Sequence, residues 1–131
     1  MKKLLLLCSL LLSTISFSQA RLGYTYNEIR TEYGTKYQYE YITGYDEKLG
    51  KYLQISLPVG TAFYYFNSDN KCYITSVVPA TKGDLHFYIQ KFNDEYVIVD
   101  GNNWLMYTNG EKIGIELDYT ENGYFFLFYY K

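Results

Sequence analysis

The chain has 131 residues, of which 18 Tyr, 8 Phe and one Trp make 21% aromatic, and its formal net charge is −2. So dense an aromatic content excludes an intrinsically disordered chain, because disordered segments are poor in rings. The length suits one ordinary domain and excludes an enzyme with a separate cofactor-binding fold.

In chain order, the N-terminus comes first. Met1-Lys2-Lys3 is a short basic segment, Leu4 to Leu12 is almost wholly apolar, and Ser13 to Phe17 extends it with small and apolar residues. Small residues then occupy the positions a signal peptidase reads, either Ser16 and Ser18 or Ser18 and Ala20. The expectation is a signal peptide over residues 1–20, cleaved after Ser18 to leave Gln19 first or after Ala20 to leave Arg21 first. The apolar run is shorter than the roughly 20 residues a membrane span requires, so no stable span is expected after cleavage. The protein is then exported to the periplasm or the extracellular space, with residues 21–131 as a single domain. That domain keeps one cysteine, Cys72, which cannot close an intramolecular disulfide. Losing Lys2 and Lys3 takes the 12 basic residues to 10 against 14 acids. No run of Lys or Arg remains, which disfavours nucleic acid and anionic membranes as partners.

Within the mature chain, Thr25 and Glu28 have the spacing of a capping box, and Tyr26, Ile29 and Tyr33 mark one face of a helix that Gly34 stops. The expected helix runs from Thr25 to Tyr33. Tyr37, Tyr39 and Tyr41 alternate with Gln38, Glu40 and Ile42 as a first strand. Leu53, Ile55 and Leu57 alternate in a second, Phe63 to Phe66 is an aromatic run before the turn Asn67-Ser68-Asp69-Asn70, and Cys72 to Val78 is a fourth strand ended by Pro79. Leu85, Tyr88, Ile89 and Phe92 then give a second amphipathic helix, with Thr81 or Asp84 as cap. Four more strands follow at Tyr96–Val99, Trp104–Tyr107, Ile113–Tyr119 and Tyr124–Tyr130, with Asn109-Gly110 and Asn122-Gly123 as hairpin turns. The last strand is apolar throughout and belongs in the middle of a sheet, since on an edge it would aggregate. The expected class is α+β, two short helices packed on antiparallel β-sheet. An echo between Leu53–Phe66 and Ile113–Phe128 admits two similar helix–four-strand halves, 23–79 and 80–131.

Gly23, Thr25, Glu28, Ile29, Tyr33 and Gly34 together resemble the opening of the SmpA/BamE-like and β-lactamase-inhibitor-protein-like exported modules. The resemblance covers about 12 residues, with a looser match in the helix-then-four-strands order. It implies a helix laid on an antiparallel sheet and a non-catalytic protein that acts by binding other proteins. The chain departs from these families in lacking a lipid-anchor cysteine and the second helix of each inhibitor unit. Its composition also resembles that of small Tyr-, Asn- and Lys-rich exported proteins of Bacteroidetes-type bacteria, a likeness that implies no site.

Chemistry-bearing residues are scarce. Cys72 and His86 are the only mature residues of their kinds, and a Cys–His nucleophile pair needs them close in space. The place of Cys72 at a strand start reads instead as a small apolar core residue. Two nitrogen or sulfur ligands do not make a structural zinc site, so neither a metal nor another cofactor is expected. Glu116 and Asp118 share a strand face with Lys112, the pattern of a solvated face. Calcium at Asn67-Ser68-Asp69-Asn70 would need a loop pattern that is absent. The remaining lead is the tyrosine surplus. Tyr37, Tyr39, Tyr41 and Tyr45 are the candidate binding residues, because tyrosine offers large contact area at low entropic cost. The expected function is an exported, non-catalytic protein-binding module of inhibitor, immunity or envelope-accessory type. The alternative is a glycan- or small-ligand-binding module, and a small Cys/His enzyme ranks third.

Overall fold

The computed structural model describes residues 20–108 and 110–131, so all but Ala20 of the export signal expected over residues 1–20, and the turn residue Asn109, lie outside it. Helix α1 (Tyr26–Arg30) opens with the capping box: the Glu28 N–H donates to Thr25 Oγ1 at 3.2 Å and the Thr25 N–H donates to Glu28 Oε1 at 3.1 Å. It then widens into a π-helical turn over Thr31–Lys36. Gly34 does not stop the helix. It makes room for a ring, since a Cβ there would lie 2.9 Å from Tyr41 Cε1. The chain is turned by Gln38, at φ 58°, before strand β1 (Tyr41–Asp46) begins. The alternation of Tyr37, Tyr39 and Tyr41 is therefore not one strand, because a left-handed residue sits inside it.

Strands β2 (Gly50–Leu57), β3 (Gly60–Phe66) and β4 (Cys72–Pro79) continue as an antiparallel meander. Helix α2 (Lys82–Glu95), capped by Thr81 accepting from the Asp84 N–H at 3.1 Å, carries the chain to the far edge. Strands β5 (Val97–Asp100), β6 (Asn103–Thr108), β7 (Glu111–Thr120) and β8 (Gly123–Tyr130) then step back inward. The result is one eight-stranded antiparallel sheet in the order β1-β2-β3-β4-β8-β7-β6-β5. β8 lies between β4 and β7, where its apolar sequence needs it.

This corrects the α+β reading. Two comparable helices on a sheet were expected, possible halves included, but α1 has only 5 residues and α2 alone, with 14, is a helix of substance. The protein is mostly sheet. The physical reason lies in how the N-terminal segment winds: α-helical bonding holds only over Tyr26–Arg30, then gives way to the wider π-helical turn Thr31–Lys36 before Gln38 reverses the chain.

Both helices sit on one face. Ile29 and Tyr33 of the α1 region and Tyr88 and Phe92 of α2 are at most 1% exposed. They pack against residues of that face: Tyr33 stacks on Tyr64 at 5.8 Å and receives its hydroxyl hydrogen bond, while Phe92 meets Phe126 edge-on at 5.0 Å and Trp104 at 5.6 Å. The Trp104 indole N–H donates to Asn93 Oδ1 at 2.8 Å, which satisfies the one polar atom this ring buries. Among the described residues, no helix is long and apolar enough to cross a membrane.

Candidate binding surface

Side chains alternate along a strand, so the same sheet must present a second face. Cross-strand register aligns a row on it from edge to edge: Gly44 opposite Tyr52, Tyr52 opposite Tyr65, Tyr65 opposite Ile74, Ile74 opposite Tyr129, Tyr129 opposite Gly114, Gly114 opposite Leu105, and Leu105 opposite Val97. A neighbouring row runs Ile42, Gln54, Phe63, Ser76, Leu127, Glu116, Asn103. The ring contacts of α1 and α2 all lie on the other face. Tyr52, Phe63, Tyr65, Ile74, Leu105, Leu127 and Tyr129 are accordingly half-buried rather than covered.

The rings on this face are held firmly. Tyr52 packs on Tyr65 at 5.7 Å and on Phe63 at 6.0 Å. Two of the tyrosines also lie over glycines: a Cβ on Gly44 would stand 2.3 Å from Tyr52 Cζ, and one on Gly114 would stand 2.8 Å from Tyr129 Cζ. Each glycine thus provides a seat that any larger residue would fill. The Tyr129 hydroxyl donates to Glu116 Oε1 at 2.8 Å, and the Tyr73 hydroxyl donates to the Leu49 carbonyl at 2.6 Å. Burial, followed by the bond to Glu116, pushes the Tyr129 phenol above its usual value, and burial followed by the charge of Asp46 does the same for Tyr65. Both remain neutral donors at physiological pH. The surface is broad, apolar at its centre and rimmed by Asp46, Lys112 and Asp118.

The four tyrosines singled out by sequence lie elsewhere. Tyr37 and Tyr39 stack on each other at 5.8 Å, and Tyr39 stacks on the buried Tyr33 at 6.1 Å. Tyr41 covers Gly34, and Tyr45, 75% exposed, stands near the far end of β1. Tyr41 and Tyr45 face the helix side of the sheet, opposite Ile55 and Lys51. The structure brings Tyr37 and Tyr39 together and leaves Tyr41 and Tyr45 along an edge. The half-buried rings of the open face were legible in principle. Runs such as Phe63–Phe66 and Tyr124–Tyr130 do not alternate with polar residues, so both of their faces had to be aromatic.

Cys72 is 1% exposed; its thiol contacts Thr75 Oγ1 at 3.4 Å and the Ile74 carbonyl at 3.6 Å, and His86 is exposed on α2. Burial lifts the thiol from an ordinary 9.0 to about 11. At pH 7 an alkylating reagent is expected to spare native Cys72 and to label it in denaturant, as read by intact mass. Because the unfolded thiol ionises first, the contribution of the buried neutral thiol to stability is whole below pH 9.0 and falls away as pH rises through about 11.

Among the described residues no group of three or more His, Cys, Asp or Glu is placed to hold a metal ion. Among the described residues, a cleft beside Ala20, Arg21 and Met106 holds only near 90 Å³, and two wider depressions, about 430 Å³ beside Phe87 and Lys91 and about 490 Å³ beside Tyr24 and Lys36, lie open to solvent. Comparison with protein-family models, curated proteins and solved structures found no match to this chain.

Proposed function

We propose that this chain is an exported, non-catalytic module that binds another protein through the open face of its sheet. The supporting observation is the registered row Tyr52–Tyr65–Ile74–Tyr129–Leu105, half-exposed and free of helix on its outer side. A row that crosses six strands, reaching Leu105 through Gly114 of β7, is too broad and flat for a small ligand, which takes a concave pocket. Rings already fixed by glycine seats and cross-strand packing lose little freedom on binding, so more of the contact energy remains as affinity. Tyrosines at the centre of such a patch are the usual hot spots of protein interfaces. An inhibitor, immunity or envelope-accessory role fits, in keeping with the resemblance at Gly23 to Gly34.

The test compares two variants in a pull-down from envelope extract, with folding checked by circular dichroism. Tyr65→Glu on the open face is expected to weaken capture of the partner about 30-fold, the equivalent of about 2 kcal/mol. Tyr45→Glu on the edge is expected to leave it within a factor of two or so. Equal loss in both variants would move the site to the β1 edge. An empty pull-down beside a positive glycan array would replace a protein partner with a sugar.

A further inference from the structure

We propose that Tyr119 and Tyr124 form an oxidative cross-linking site, at which a one-electron oxidant driven by hydrogen peroxide, such as a haem peroxidase, joins the two rings as dityrosine. The inference is independent of the open face and of any partner bound there.

The pair stands where the sheet runs out. Tyr119 and Tyr124 are directly opposite each other in the β7–β8 ladder, one pair before Thr120 and Gly123 close the hairpin. Registered pairing of β6 with β7 ends at Asn103 and Glu116, and that of β4 with β8 ends at Val77 and Phe126. The Leu117 N–H still donates to the Asn102 carbonyl at 2.8 Å, and beyond it the hairpin continues with neither neighbouring strand paired to it. Its two rings are open to a reagent, with Tyr119 63% and Tyr124 48% exposed. Their centroids lie 5.0 Å apart at an interplanar angle of 58°. Ring edges touch at this spacing, and the ladder holds both backbones in place. The carbons ortho to the hydroxyls therefore reach each other by side-chain rotation alone.

Other tyrosines lack either the access or the partner. Tyr33 and Tyr64, 5.8 Å apart, are buried, while Tyr52 and Tyr65, at 5.7 Å, are half-buried. Tyr37 is exposed, but Tyr39, its neighbour at 5.8 Å, is half-buried. Tyr45 is 75% exposed and stands opposite Lys51 rather than another ring. Cys72, Trp104 and Met106, which compete for oxidants, are at most 4% exposed.

The step balances. Each phenol gives up one electron and its hydroxyl proton to become a phenoxyl radical. The two radicals couple through their ortho carbons, forming one C–C bond, and each ring then passes its displaced ortho hydrogen to its oxygen and is aromatic again. The protein loses two hydrogens in all, and hydrogen peroxide takes up the two electrons and two protons to leave as two waters. The product ties the two strands covalently at the end of the hairpin that no other strand holds.

The test treats the purified full chain, dilute and in neutral buffer, with a haem peroxidase and hydrogen peroxide. The expected product is a monomer lighter by two hydrogens that carries the blue fluorescence of dityrosine. Digestion after Glu121 should yield two peptides that stay joined, one holding Tyr119 and the other Tyr124. Tyr119→Phe and Tyr124→Phe, each confirmed as folded by circular dichroism, should lose the joined pair, and Tyr45→Phe should keep it. A monomer that keeps all its hydrogens overturns the proposal. So does a bond mapped to other tyrosines, a bond formed only between chains, or a joined pair that survives in either Tyr119→Phe or Tyr124→Phe.

Discussion

Phe92→Ala is expected to destabilise the protein by about 3–5 kcal/mol, out of the roughly 5–15 that a domain of this kind holds. Phe92 is 0% exposed, and its ring lies between 5.0 and 6.0 Å from five others: Tyr88, Tyr96, Trp104, Phe126 and Phe128. Three of those neighbours stand on β6 and β8, whose backbones are fixed by ladder bonds on both sides. They cannot move in to fill the space, so the lost ring leaves a cavity rather than a repacked core. α2 is also the one long helix covering this end of the sheet, and Phe92 is central to its contact. A urea melt checks the value: the midpoint should fall with the slope unchanged. Phe87→Ala on the same helix, 50% exposed, is expected to shift stability by about 0.5 kcal/mol at most. Comparable losses in the two variants would mean that α2 is not docked through Phe92.

Gly60→Ala should carry the next largest loss, about 2–4 kcal/mol. Gly60 opens β3 at φ 154°, and a Cβ there would stand 2.4 Å from the Val78 carbonyl oxygen and 3.2 Å from Pro79 Cα. The obstacle is backbone, so the methyl can enter only if β3 and β4 part at that end. Gly114→Ala is a useful contrast. Its added carbon would meet only the Tyr129 ring, at 2.8 Å from Cζ, and a side chain can swing away. The expected stability loss is about 1 kcal/mol, but Tyr129 then leaves its seat and the open face is roughened. Thermal melts separate the two glycines, and partner binding should respond to the second more than its stability does. A Gly60→Ala protein that melts with the wild type would show that the β3–β4 end is loosely held.

The strands were largely legible because turn residues mark their ends. Asn122-Gly123 and Asn67-Ser68-Asp69-Asn70 separate runs whose β-branched and aromatic content admits little else. The central place of β8 followed from the absence of any polar residue that could face water on an edge. The helix-side details were not legible. Gly34 looks like a helix stop in one dimension and is a slot for the Tyr41 ring in three. Gln38 carries no mark of its positive φ, so the three alternating tyrosines around it read as a strand. The open-face rows were only half legible: Phe63–Phe66 and Tyr124–Tyr130 show strands aromatic on both faces, but not which face the helices take, and that choice decides which tyrosines are left uncovered.

The order of the sheet has a consequence for how the protein is made. β1–β4 and β5–β8 are each meanders of neighbours, but the two are joined by four registered pairs between Ile74–Val77 and Phe126–Tyr129. β8 is the final strand along the chain. A chain emerging from its N-terminal end therefore exposes the bare flanks of β4 and β7 until β8 has been made, and only then do they close on both sides of it at once. A chain truncated before Gly123 would leave two half-sheets with matching unpaired edges, a species suited to joining with its own kind.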